Sequence, residues 1–123
     1  MTDARRKIFV FGSNLAGIHG AGAAYHARMN HGAVMGQGAG LQGDSYGIPT
    51  KDHNIRTLPL EIVARYVTAF LGFARQHPEL EFNVTRSGCG LAGYKDKDVG
   101  PLFEGAPENC ILPEGWGVKP EGQ

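Results

Sequence analysis

The chain has 123 residues, 41% of them hydrophobic and 20% charged, which fits a single globular domain with one buried core. Its 12 Lys and Arg offset 12 Asp and Glu, so the formal net charge is +0, which argues against generic coating of nucleic acid by basic side chains. Cys89 and Cys110 are the only cysteines, too few for a disulfide framework and in keeping with a reducing compartment. Only four apolar residues in a row follow the basic start, so neither a signal peptide nor a membrane span is expected and the cytoplasm is the expected location. Glycine is the outlier, at 19 of 123 or about 15% against an average near 7%. It gathers in residues 12–22, 32–47 and 88–93, where backbone is expected to approach something closely.

Residues 7–12 are an apolar run ended by glycine, which predicts a buried strand of a parallel sheet. Residues 13–19 form a turn-rich loop, and residues 20–31 predict a helix that starts on the small residues Ala21, Ala23 and Ala24. Residues 33–43 predict a glycine-rich loop, and residues 45–49 a short strand stopped by proline. From Pro59 to about His77 the apolar residues Leu60, Val63, Val67, Phe70 and Ala74 fall on one helical stripe. Pro59 suits the first helical position, Glu61 complements the dipole, and Pro78 ends the helix. A strand is expected over residues 81–86, a short helix over 96–103 and a last strand over 109–112. Strands alternate with helices, so the class is α/β with a mostly parallel sheet in one domain, residues 1–123. Its core covers about residues 7–112, with a Pro/Gly-rich tail over 113–123.

Gly38-Ala39-Gly40-Leu41-Gln42-Gly43 matches the dinucleotide-binding pattern literally, but no strand is predicted before it and a strand follows it, so it is set aside. Gly20, Ala21, Gly22 and Ala23 open a helix after a strand and loop. They could cradle an anion with bare backbone amides, or simply pack a helix start against the sheet. Ser87, Gly88, Cys89, Gly90, Leu91, Ala92, Gly93 and Tyr94 lie where a strand hands over to a helix, a place where ligands settle in open α/β sheets. Cys89 is either a nucleophile or, with no histidine nearby in sequence, a small packed residue. Lys51 follows a strand end, where a desolvated amine can attack an aldehyde-like sugar carbon, although such a lysine is more often simply solvated. The five histidines show no metal-ligand spacing, so no metal is expected.

Three segments together resemble the macrodomains. Residues 14–24, with Asn14 and the run Gly20-Ala21-Gly22-Ala23-Ala24, are similar to the macrodomain segment that holds the distal ribose of ADP-ribose. Residues 48–53, Ile-Pro-Thr-Lys-Asp-His, and residues 87–94 resemble one branch of that superfamily. This branch holds the terminal ADP-ribose protein glycohydrolase and the antitoxin macrodomain acting on ADP-ribosylated thymidine in DNA. The same layout is similar to short phage-encoded proteins described only as non-structural. The resemblance covers most of residues 7–112 and implies a three-layer mixed, mostly parallel sheet between helices, in a minimal form without the usual first strand. It implies that Asn14 contacts the distal ribose, with Gly20, Ala21, Gly22 and Ala23 lining it. Gly88, Cys89, Gly90 and Leu91 would wrap the diphosphate, within a ligand-binding segment Ser87, Gly88, Cys89, Gly90, Leu91, Ala92, Gly93 and Tyr94, and Lys51 would act at the anomeric carbon. No cofactor is implied. Two departures matter: Ala92 stands where the glycohydrolase has an aspartate, and no acid is found to read the adenine.

The first functional reading is hydrolysis of an ADP-ribosyl linkage by Lys51, assisted by one of Asp44, Asp52, Asp96 or Asp98. The alternative is a phage-type sponge that sequesters an NAD-derived signalling nucleotide intact. A third is a scaffold whose glycines serve packing alone. The expected partner is an ADP-ribose-type small molecule or an ADP-ribosylated macromolecule. A homo-oligomer is also expected if a second copy covers an open sheet edge.

Overall fold

The apolar run after Lys7 becomes the central strand of the sheet. In the computed structural model, which describes residues 5–86 and 93–117, this strand (β1) spans Arg6–Asn14. Its two faces are both apolar. Ile8 and Val10, fully buried, join a cluster with Val63, Val67, Phe70 and Phe82. Phe9 and Phe11 face the other way, onto Ala24, Ala27 and Ala33. Such two-sided burial is what a strand flanked by helices on both faces requires.

Helix α1 covers Gly22–Asn30, two residues later at its start than the sequence suggests. Only Ala24 and Ala27 of α1 are buried, and their small size lets the helix sit close to Phe11. Strand β2, Gly40–Gln42, lies inside the stretch expected to be only a loop. It runs antiparallel to β3, Ser45–Lys51, through a tight turn at Gly43 and Asp44. The glycine pattern over residues 38–43 therefore ends in an edge strand, without the helix a dinucleotide site needs.

Helix α2, Leu60–Gln76, buries Val63, Val67, Phe70, Leu71 and Ala74 against the sheet, and Pro59 caps it instead of opening it. Strand β4, Leu80–Val84, ends two residues earlier than expected. The short helix after it divides into α3, Asp96–Val99, and a single 3-10 turn, Gly100–Phe103. Strand β5 is Cys110–Ile111. Asn109, just before β5, donates its amide to the carbonyls of Ala74, His77 and Leu80, at 3.0, 3.0 and 3.1 Å. That clamp fixes where α2 ends and β4 begins.

The sheet order is β2-β3-β1-β4-β5, with β2 antiparallel and the other pairs parallel. The fold is α/β in three layers, with α1 on one face and α2, α3 and the 3-10 turn on the other. Connectivity gives β1 a special position. The element that follows β1, α1, packs on one face of the sheet, whereas the helices that follow its two neighbours β3 and β4, α2 and α3, pack on the other. Loops that diverge in this way open a crevice beyond the carboxyl end of the central strand. Among the described residues no helix is long and apolar enough to cross a membrane.

Candidate functional site

The carboxyl ends of β1 and β3 meet at a bulge. Ser13 stands opposite Pro49, which has no N–H to offer the ladder, and the next pair is Asn14 with Lys51. Thr50, the residue left over, is buried and donates its hydroxyl to the Ser13 carbonyl at 3.2 Å. The bulge therefore brings Asn14 and Lys51 side by side at the rim of the crevice.

Asn14 shapes the loop that follows it. Its Oδ1 accepts the Ile18 N–H at 2.9 Å, and its Nδ2 donates to the Ile18 carbonyl at 2.8 Å. The Asn14 carbonyl also accepts the Gly17 N–H at 3.0 Å. One lone pair on Oδ1 and one hydrogen on Nδ2 are left over for other partners. The loop leads to Gly20, Ala21 and Gly22, all exposed, and to the half-buried Ala23. Ala21 caps α1 with extended backbone and no side-chain bond, and the first turn carries no acid. The first amides of α1 are thus left without intrahelical or side-chain acceptors, the arrangement that favours an anion.

A buried residue pins the same loop from below. His19 is fully buried, and its Nε2 lies 3.0 Å from the Gln37 carbonyl and 3.2 Å from Gln42 Oε1. Gln42 Oε1 also accepts the Val34 N–H at 2.8 Å, so both neighbours of Nε2 are acceptors and the proton sits on Nε2. His19 Nδ1 has no hydrogen-bond partner among the described residues. This histidine couples the loop to β2. Nothing in its spacing distinguishes it from the other histidines, and only burial reveals the role.

Lys51 is half-buried, and its ammonium has no hydrogen bond or ion pair among the described residues. Its backbone is firmly held: the carbonyl accepts the Leu15 N–H at 2.9 Å, and Lys51 bridges antiparallel to Thr57. Between them a tight hairpin closes. Asp52 donates its N–H to the Arg56 carbonyl at 2.8 Å, and its Oδ1 accepts the N–H groups of Asn54 and Arg56 at 2.8 and 3.0 Å. The Arg56 amide, above all, holds the Asp52 carboxyl below the usual carboxylate range. Burial opposes the shift, while the Asn54 amide and the charges of Arg56 and His53 add to it.

The hairpin is tied to the loop after β4. Leu58 donates its N–H to the Thr50 carbonyl at 2.9 Å, and Tyr94 donates its hydroxyl to the Leu58 carbonyl at 2.6 Å. Half-buried Tyr94 and exposed Gly93 therefore sit at the same end of the sheet as Lys51. The remaining residues expected there, Ser87, Gly88, Cys89, Gly90, Leu91 and Ala92, lie outside the described residues.

The four candidate carboxylates are all engaged. Asp44 pairs with Arg6 at 2.5 Å at the opposite end of β3, far from Lys51. Asp52 is spent on its own hairpin, Asp96 pairs with Arg86, and Asp98 accepts the Lys95 N–H at 3.1 Å to cap α3. Among the described residues no group of three or more His, Cys, Asp or Glu gathers to hold a metal ion. The chain matches no family model, no curated protein and no solved structure.

Proposed function

We propose that this chain binds ADP-ribose, or a nucleotide derived from it, in the crevice beside β1 and cleaves an ADP-ribosyl linkage with Lys51, in the cytoplasm. The observation that carries the proposal is the Asn14–Lys51 pair at the bulged carboxyl ends of β1 and β3. It gives the crevice a polar rim with Lys51 on one side and the bare amides of α1 at the end of the adjoining loop. The resemblance of residues 14–24 and 48–53 to macrodomain segments supports the same reading. In this mechanism the Lys51 side chain first gives one proton to solvent, and the neutral amine adds its lone pair to the anomeric carbon as the acceptor group departs with the bonding pair and takes up a proton. Water then adds at that carbon and loses a proton as the amine departs with its bonding pair and is reprotonated, which releases ADP-ribose.

A second reading has its own support. Asp52, Asp96 and Asp98 are committed to backbone or arginine, so none is poised to activate the water. That favours a sponge that holds its nucleotide intact. One incubation separates the two: a pool of ADP-ribose, cyclic ADP-ribose forms, ADP-ribosylated peptide and ADP-ribosylated thymidine oligonucleotide, read by mass spectrometry. Newly formed free ADP-ribose identifies a hydrolase and its acceptor. An unchanged compound released only on denaturation identifies a sponge. A protein that neither changes nor retains any compound, and does not shift its melting temperature with any, is a scaffold.

A further inference from the structure

Two histidines meet on the α1 face, at the end of the sheet away from the crevice. His26 lies within α1, and His31 follows the last turn as its C-cap, with φ −132° and ψ 13°. Five residues apart is no ligand spacing on a continuous helix. Leaving the helix turns His31 back, however, and its Nε2 lies 3.3 Å from His26 Nε2. Both rings are already held in place. His31 stacks on Phe9, with ring centroids 4.5 Å apart and planes 7° apart. Its N–H donates to the Ala27 carbonyl and its carbonyl accepts the Asp44 N–H, each at 2.8 Å. His26 tilts against the same phenyl ring at 5.1 Å, and Asn30 Nδ2 lies 3.2 Å from its Nδ1. His26 is exposed and His31 half-buried, so both ring nitrogens stand at the surface end of the cluster.

We infer that His26 and His31 form a two-histidine site for a divalent transition ion of the zinc class, with water at the remaining positions. A separation of 3.3 Å is long for a hydrogen bond. It matches the edge of a tetrahedron with metal–nitrogen distances of about 2.0–2.1 Å, which is about 3.3–3.4 Å, whereas the cis edge of an octahedron at those distances is about 2.9 Å. Zinc gives up two waters for two neutral imidazoles, each of which then carries its proton on Nδ1. The Asn30 amide, turned to present Oδ1, accepts the proton of His26. No third His, Cys, Asp or Glu joins the pair among the described residues, which makes this an exchangeable site and not a closed structural one. The ion ties the body of α1 to the chain beyond its cap, and the buried side chains of α1 are only Ala24 and Ala27. Occupancy therefore fastens a lightly anchored helix, and it does so whether or not the crevice takes ADP-ribose.

The test titrates metal-free protein with zinc chloride at pH 7.5, read by calorimetry and by melting temperature, with magnesium chloride as the oxygen-seeking comparison. One zinc per chain is expected, half-saturating below about 0.1 mM, with no response to magnesium. Zinc at tenfold its dissociation constant should raise the melting temperature by about 4–7 °C. Two variants place the ion. His26→Ala removes the exposed ring, and His31→Phe keeps the stack on Phe9 while removing the lone pair. Each should lose at least about tenfold in zinc affinity while melting, metal-free, within about 2 °C of wild type. Zinc affinity unchanged in both variants puts the ion elsewhere and overturns the inference. So does a wild-type protein that takes up no zinc below about 1 mM, or one that responds equally to magnesium.

Discussion

The side chain of Asn14 binds both backbone groups of Ile18, accepting its N–H and donating to its carbonyl. The residue expected to meet a ribose is therefore also the brace of the loop that would surround it. Asn14→Ala removes both bonds and should cost about 1–2 kcal/mol in stability. Asn14→Asp is nearly isosteric and keeps the acceptor. It also turns a second carboxylate oxygen toward the Ile18 carbonyl, so it should destabilise at least as much as Asn14→Ala. Urea titration of both variants checks this, and an Asn14→Asp protein as stable as wild type would remove the brace from the account.

Lys51 separates backbone from side chain cleanly. Its carbonyl receives the Leu15 N–H and its backbone bridges to Thr57, and an alanine keeps both. Its ammonium holds nothing among the described residues, so Lys51→Ala should change stability by less than about 0.5 kcal/mol. For a hydrolase, the variant should retain ligand affinity within a few-fold and lose turnover by at least about a hundredfold. Single-turnover kinetics on whichever ADP-ribosylated substrate the wild-type protein cleaves gives the answer. Turnover at the wild-type rate would take the reaction away from Lys51.

Much of the framework was legible because it depends on periodicity. The two-faced apolar run of β1 and the single stripe of α2 each announce where they are buried. Strand β2 was not legible, because three residues that begin on one glycine and run into another carry no alternation, and its strand character comes from pairing with β3. The pairing of Asn14 with Lys51 depends on a bulge that forms where Pro49 interrupts the ladder, a feature of register and not of composition. Single side chains were least legible. Asp52 and Asp98 look like loop acids in sequence, yet each is consumed by a local amide. His19 looks like any isolated histidine until Gln37 and Gln42 are seen on its Nε2.

The glycine excess divides into positions that need glycine and positions that do not. A Cβ on Gly38 would lie 2.1 Å from the Asn14 carbonyl oxygen, and one on Gly47 would lie 2.3 Å from the Gly38 carbonyl oxygen. These contacts are backbone on backbone, so neither neighbour can turn away. Gly38→Ala and Gly47→Ala should each cost about 2–3 kcal/mol. Gly72, in the middle of α2, would meet nothing within 4 Å, and Gly72→Ala should instead stabilise by about 0.5–1 kcal/mol. Thermal melts of the three variants test the division, and a neutral Gly38→Ala would contradict the close approach beneath Asn14.

Cys110 on β5 is buried, and that burial pushes its thiol up to about 11 from the ordinary 9.0, with the positive charge of Arg75 pulling weakly the other way. The sign of the linkage follows. The unfolded thiol ionises near pH 9 while the folded one holds its proton, so this contribution to stability is intact below pH 9 and declines as pH rises toward 11. Reactivity follows the same physics, because the thiolate is the nucleophile. In a Cys89→Ser background, the native protein at pH 8 should leave a disulfide reagent such as DTNB unreacted over minutes, while the denatured protein should consume one equivalent. Native Cys110 reacting at the rate of a free thiol would show that the β5 edge opens far more readily than its packing against β4 allows.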